Sequence, residues 1–168
     1  MRLPPFRQGA LDGICGLYSI VNADRIVNGS TTEQSLQLYN ELLTWLSRHG
    51  MLQGAMVEGL MSDELRLILQ KAAGKRFGTI EVPWRGVTTP TLDEFWRSMQ
   101  DFMGKGRAII LGLNGRHDHW TVVRDITRRS IWLYDSDGMG RLTRHDCSTS
   151  KSQRKHFLRP AQTYYLAA

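Results

Sequence analysis

Apolar side chains recur with helical spacing through the first half of the chain. Three stretches with this spacing predict helices, which cover residues 13–27, 31–49 and 62–73. Thr31 and Gln34 have the spacing of a capping box at the start of the second helix. Ser62 is a suitable cap for the third helix. Residues 51–59 contain two glycines and are predicted to form a loop.

The second half of the chain changes to short apolar runs rich in β-branched and aromatic residues, which is typical of strands. These runs predict strands over residues 77–82, 107–113, 119–126, 130–135 and 162–166. A short helix over residues 92–103 separates the first two, and a polar turn near residues 127–128 predicts that the third and fourth form a hairpin. The polar stretch 148–155 has few structural signals. Helices followed by an antiparallel sheet predict one α+β domain over residues 1–168, since no linker divides the chain into two cores.

Composition is that of a globular protein that does not cross a membrane. Among 168 residues, 41% are hydrophobic and 23% are charged, and no apolar run is long enough for a transmembrane helix. The first residues lack the apolar segment of a secretory signal. Two cysteines, Cys15 and Cys147, are too few for a disulfide framework. We therefore expect a cytoplasmic protein, and delivery into a target cell without a cleaved signal stays open.

The formal net charge is +6, and much of the basic excess lies in residues 141–159. Such a stretch attracts nucleic acid, an anionic membrane or an acidic protein. It lacks regularly interleaved aromatic residues, and no nucleic-acid-binding motif is present. We therefore expect no nucleic-acid partner and interpret the segment as a solvated loop, whose role stays open.

Cys15 lies near the start of the first predicted helix, into which the turn-forming Asp12-Gly13 leads the chain. A cysteine in the first turn of a helix is beside the positive end of the helix dipole, which favours the nucleophilic thiolate. The Cys15 backbone N–H has no partner within the helix and is suited to stabilise an oxyanion, with the Gln8 side-chain amide as a second donor. Cys147, among charged and polar neighbours, is interpreted as an inert thiol.

A cysteine nucleophile also needs a group that accepts and returns a proton. His119 begins a predicted strand and Asp135 ends the next one, so that a tight hairpin brings the two nearly opposite each other. His117 is an alternative base, and Asp137 is an alternative orienting residue beyond the strand end. His117, Asp118 and His119 are also potential metal ligands, but no further Cys or His has a supporting spacing. We expect no metal and no cofactor.

The order of these residues resembles that of the papain-like cysteine peptidase superfamily, in particular compact bacterial leader peptidases and effector proteases or deamidases. The matching segments are Gln8-Gly9, Asp12 with Cys15-Gly16, His119-Trp120-Thr121-Val122-Val123 and Leu133-Tyr134-Asp135. The resemblance implies a papain-like fold in which Cys15 is the nucleophile, His119 the general base and acid, Asp135 the orienting residue and Gln8 the oxyanion donor. Gln8 lies one residue further from the cysteine than is usual in the family. The order differs from the SUMO-protease branch, where the histidine precedes the cysteine.

The resemblance implies a thiol hydrolase that cleaves a peptide or isopeptide bond through an acyl-enzyme, with a protein or peptide as substrate. Two alternatives stay open. One is a glutamine deamidase or transglutaminase-like effector that uses the same three residues. The other is a non-catalytic binding module with a papain-like fold.

Overall fold

The computed structural model describes residues 4–9, 12–115 and 118–168. Its described part contains five α-helices: α1 (Cys15–Asn28), α2 (Thr32–Arg48), α3 (Leu52–Glu58), α4 (Ser62–Lys71) and α5 (Leu92–Phe102). The strands are β1 (Thr79–Glu81), β2 (Arg107–Gly115), β3 (His119–Ile126), β4 (Ser130–Leu133), β5 (Arg141–Thr143), β6 (Cys147–Ser148) and β7 (His156–Ala167). This composition confirms the predicted α+β class. No helix in these ranges is both long and apolar enough to cross a membrane.

The strands form one sheet in the order β1-β7-β2-β3-β4-β5. All pairs along this path are antiparallel, whereas the short strand β6 pairs with β7 in parallel. The last long strand of the chain therefore lies inside the sheet, between the first strand and β2. Because of this position, the C-terminal strand β7 is hydrogen-bonded to β2, and β2 lines part of the candidate site described below.

Apolar clusters cover both faces of the sheet. Val122 packs with residues of α1 to α4 on one face, and the adjacent Val123 packs with α5 on the other. Ile110 and Ile109 divide between the two faces in the same way. Strands that are buried on both faces need apolar residues at successive positions, which explains the unbroken apolar runs in the sequence.

The first two helices agree closely with the sequence prediction. The helix α1 ends at Gly29, which has a φ of 68°, a left-handed conformation that glycine adopts without steric cost. The helix α2 begins with the predicted capping box: the Gln34 N–H donates to Thr31 Oγ1, and the Thr31 N–H donates to Gln34 Oε1. At α4 the cap differs, because the residue before Ser62, Met61, donates its N–H to Glu64.

The predicted loop 51–59 is wrong, because most of it forms the helix α3. Ala55 in this helix is buried and Leu52 packs partly buried against the same core, while Gly54 is exposed. Tertiary packing outweighs the low helix propensity of glycine here. Gly59 ends the helix with a φ of 83° and leads the chain into the wall of the candidate site.

The last strand is much longer than the predicted stretch 162–166. Its register against β2 changes between Leu111, which pairs with Thr163, and Leu113, which pairs with Leu158. The extra residues of the bulge include Pro160, which has no N–H to donate to a ladder. The bulge interrupts the alternation of apolar and polar residues, and the first half of the strand could therefore not be predicted from the sequence.

Candidate active site

Cys15 is the first residue of α1 and is 7% exposed. The turn before it is tied to α3, because the Gly13 N–H donates to the carbonyl oxygen of Met56 at 2.9 Å. A Cβ on Gly16 would lie 2.9 Å from Leu60 Cδ1, closer than carbon atoms approach. Glycine beside the cysteine therefore lets the start of α1 pack directly against the segment between α3 and α4.

His119 is the first residue of β3, and its Nε2 lies 2.7 Å from Asp135 Oδ1. Since Nε2 is engaged there, Nδ1 is the ring nitrogen left to interact with the Cys15 sulfur. The backbone N–H of the next residue, Trp120, also points at this sulfur, with a distance of 3.5 Å from N to Sγ. The start of β3 thus supplies both an imidazole and an N–H donor to the thiol.

Asp135 follows β4 and is 3% exposed. Its Oδ1 contacts His119, and its Oδ2 accepts hydrogen bonds from the N–H groups of Asp137 and Met139, each at 2.9 Å. Both oxygens of the buried carboxylate therefore have partners, which fixes its orientation.

The hairpin register differs from the predicted one by about two residues. In the structure Val123 pairs with Leu133, and the Tyr134 N–H donates to the Val122 carbonyl. His119 and Asp135 are therefore diagonal neighbours on one face and not directly opposite. Their side chains still meet, because diagonal neighbours across an antiparallel pair lie within reach of longer side chains.

The environment of His119 favours its charged form. Burial lowers the pKa of the ring most strongly, but hydrogen bonds and charge interactions with Asp135 and Cys15 together outweigh burial and raise the pKa to about 10. For Asp135, burial raises the pKa, but the hydrogen bond and the charge of His119 hold the pKa below its usual value. The two shifts describe an ion pair between imidazolium and carboxylate at neutral pH.

Gln8 is held next to Asp135 by a double connection to Ser136. Its backbone N–H donates to the Ser136 carbonyl at 3.1 Å, and its Oε1 accepts from Ser136 Oγ at 3.2 Å. Because Oε1 accepts this bond, Nε2 is the end of the amide that can donate to a ligand. The segment before it is anchored on α1 by Asn22, whose side chain bonds both the N–H and the carbonyl of Phe6. These contacts set the position of Gln8 independently of its unusual distance from Cys15 in sequence.

Gln8, Cys15 and His119 line one open cavity of about 400 Å³. One wall is the segment after α3, and the Trp120 indole fixes this wall by donating to the Leu60 carbonyl at 2.7 Å. Val57 on the rim is 76% exposed. Sequence reasoning assigned no role to the tryptophan, because an aromatic residue in an apolar strand resembles any core residue.

The remaining candidates occupy different environments. Asp137 is exposed and contributes only its N–H to the site, and His117 lies outside the described residues. Cys147 is fully buried, and its Sγ donates to the Thr143 carbonyl. Burial raises the pKa of Cys147 to about 12, with a further increase from Asp146. Within the described ranges no three His, Cys, Asp or Glu side chains are grouped as metal ligands would be.

Comparisons with family models, with curated proteins and with solved structures find no match to this chain.

Proposed function

We propose that this protein is a cysteine peptidase of papain-like architecture, with Cys15 as the nucleophile. The observation that carries the proposal is the convergence of Cys15, His119 and Asp135, which come from a helix start, a strand start and the segment after a strand. Cys15 and His119 line one cavity, and Asp135 contacts His119. A helix that presents a thiol to an imidazole on the neighbouring sheet is the arrangement expected of this superfamily. Each residue alone has an ordinary structural explanation, but their arrangement in series has the geometry of a triad.

The charge state of the site supports nucleophilic attack by a thiolate. Because the pKa of His119 is raised to about 10, the ring is protonated at neutral pH and lies beside the sulfur. The Cys15 thiolate attacks the scissile carbonyl, and the electron pair of the carbonyl moves to oxygen. The Cys15 N–H and Gln8 Nε2 then stabilise the oxyanion.

The second half of the reaction returns the enzyme to its starting state. The His119 imidazolium gives its proton to the leaving amine as the carbon–nitrogen bond breaks, which leaves a thioester on Cys15. Neutral His119 then takes a proton from water, whose oxygen attacks the thioester carbonyl. Collapse of this intermediate releases the carboxylic acid and restores the thiolate and the imidazolium, which Asp135 continues to orient.

The shape of the cavity supports a polypeptide substrate. The cavity is open, and its rim carries the exposed apolar side chains of Val57 and Met61, while Asn114 and Arg159 lie on the lining beyond Gly112. A glycine at this place lets β2 pack closely against β7 and the Trp120 ring, since a Cβ on Gly112 would lie 3.0 Å from the Gln162 carbonyl oxygen and 3.2 Å from the ring. An open cleft with apolar and polar walls is suited to an extended chain that continues past both sides of the reacting carbonyl.

Mass spectrometry of peptide and protein libraries incubated with the enzyme tests the proposal. We expect new chain ends with the wild-type protein and none with Cys15→Ala. Conversion of a glutamine amide to an acid, without new chain ends, would replace the peptidase by a deamidase. The absence of either change across libraries of broad sequence coverage, with a folded wild-type protein, would favour the non-catalytic module.

Replacing Gln8 by alanine is expected to lower kcat about 100-fold, because one of two oxyanion donors is removed. KM is expected to change little, since this donor acts most strongly on the charged intermediate. Gln8→Glu keeps the size and the acceptor for Ser136 but cannot donate, and we expect a loss of at least the same size. Gln153→Ala, at an exposed position outside the cavity, is the control. An unchanged kcat in both Gln8 variants would remove this residue from the mechanism.

A further inference from the structure

A second cavity, of about 360 Å³, lies at the other end of α1 from the candidate active site. A helix of 14 residues places the two ends about 20 Å apart. The cavity is formed by the end of α1, the turn between α5 and β2, and side chains of β3 and of Tyr134. Its charged lining residues are Arg25, Lys105, Arg107 and Arg124, and none of the lining residues carries a carboxylate.

The four cations have no carboxylate partner among the described residues, whereas other arginines of the chain do. Arg144 pairs with Asp93, and Arg85 pairs with Asp63 at 2.9 Å. Positive charges gathered in one concavity repel each other, and this repulsion falls when an anion binds between them.

Two of the three guanidinium groups are held in place by the fold. Arg25 Nη1 donates to the Pro4 carbonyl at 3.0 Å, and its guanidinium lies over the Phe6 ring. Arg107 Nη1 donates to the Phe102 carbonyl at 3.0 Å, with its guanidinium over the ring of the same residue. Fixed side chains lose little conformational entropy when a ligand binds, which favours affinity.

The Arg25 and Arg124 charges both act on the Tyr134 hydroxyl. Burial raises the pKa of Tyr134, and the two guanidinium charges oppose the rise. The end of α1 contributes a partial negative charge nearby, as helix C-termini do. Arg107 also lines a neighbouring cavity with Glu81, Glu94 and Asp101. The charges of Arg25, Lys105 and Arg124 alone outweigh the half charge of the helix end, so that the cavity favours an anion.

We propose that this cavity binds a small, multiply charged phosphate compound. Guanidinium groups match the oxygens of phosphate in paired hydrogen bonds, and Lys105 adds a mobile point charge. The backbone of Gly104 and Gly106 borders the cavity without side chains that would obstruct a close approach. Its volume accommodates a compound of the size of a diphosphate with a small substituent. The basic segment 141–159, which was expected to be a solvated loop, contains β5, β6 and the start of β7. Of these described residues, only Arg159 lines the active-site cavity, and none lines this second cavity.

The size and shape of the cavity favour a small molecule over a nucleic-acid strand. The nearby rings of Phe6 and Phe102 pack partly buried against the apolar clusters and each has a guanidinium over one face, which disfavours the stacking of bases on them. This second cavity is separate from Cys15. Binding of a phosphate compound there does not depend on the proposed peptidase activity.

Isothermal titration calorimetry with inorganic pyrophosphate at low ionic strength tests the proposal on the full chain. We compare wild type with K105E/R124E, in which two exposed cations of the cavity are reversed. The control K151E/K155E has the same change in net charge at exposed residues outside the cavity. We expect saturable binding by wild type and by the control, and a loss of about 10- to 100-fold in affinity for K105E/R124E.

Several results would overturn the proposal. They are the absence of saturable binding to folded wild-type protein, an equal loss in both variants, and tight binding of single-stranded RNA without competition by pyrophosphate. The neutral variant K105Q/R124Q, whose fold is checked by circular dichroism, distinguishes the loss of the positive charges from a loss of structure. It is expected to bind more weakly than wild type and more tightly than K105E/R124E. The Cys15→Ala protein is expected to bind pyrophosphate like wild type.

Discussion

Cys15→Ala is expected to abolish turnover, with a fall of at least about 10⁴-fold, while the protein stays folded. The sulfur is the only atom of the site that forms a covalent bond in the proposed reaction. Neither water nor another thiol can replace it, because Cys147 lies in the other apolar cluster of the protein. Removing one partly enclosed sulfur costs about 1 kcal/mol of stability, well below what unfolds an ordinary domain.

Cys147→Ala is the matched control for this result. It removes a fully buried thiol outside the cavity and leaves Cys15, His119 and Asp135 unchanged. We expect a modest loss of thermal stability and full turnover per folded molecule. Retained turnover in Cys15→Ala, measured on a substrate that the wild type cleaves, would end the account.

His119→Ala is expected to lower turnover by about 10⁴-fold, because the leaving amine loses its proton donor and the thiol loses its partner. The substitution also leaves Asp135 buried without its imidazole, which is expected to cost about 3 kcal/mol of stability. The double variant His119→Ala/Asp135→Asn removes the buried charge and keeps an acceptor for the two N–H groups that bond it. We expect the double variant to regain stability without regaining turnover.

The stability cost of His119→Ala depends on pH in a defined direction. The pKa of His119 is about 10 in the folded protein against 6.5 for an unperturbed histidine. Protonation of the ring therefore stabilises the fold fully below about pH 6.5, and this contribution disappears as the pH rises towards 10. Denaturant titrations at several pH values should show the difference between wild type and variant shrink over that range. A difference that grows with pH would contradict the charge state assigned to this ring.

Local patterns predicted much of the scaffold because they depend on few residues. The capping box of Thr31 and Gln34 and the end of the first helix near residue 27 are decided within one turn of helix, and both agree with the prediction. The bounds of β3 were also predicted, since an apolar run that begins at His119 is bracketed by polar residues.

Features that depend on distant contacts were missed. The helix α3 owes its existence to the packing of Ala55 and to the core around it, which no window of nine residues contains. The early half of β7 is concealed by the bulge at Pro160. The contact of the Trp120 indole with Leu60 joins residues 60 positions apart, and the sequence holds no local sign of it.

The candidate site could be predicted from the sequence in part. The element types of Cys15 and His119 were predictable, and so was the order of the three residues. The predicted strand over 130–135 is too long, because β4 ends at Leu133 and Asp135 lies beyond it, and the register between β3 and β4 differs from the expected one. The site tolerates this difference because Asp135 reaches His119 diagonally and its second oxygen is held by the turn that follows. The placement of Gln8 through Ser136 was not predictable, because it depends on the path of the N-terminal segment across α1.

The rate of alkylation by iodoacetamide at pH 6, followed for each cysteine by peptide mass spectrometry, tests the pairing of Cys15 with His119 most directly. It needs no substrate, and only the thiolate reacts. We expect Cys15 to react at least about 100-fold faster in wild type than in His119→Ala, while Cys147, whose pKa is raised to about 12, stays unreactive in both. Equal rates for Cys15 in the two folded proteins would show that the imidazole does not act on the sulfur and would contradict the account.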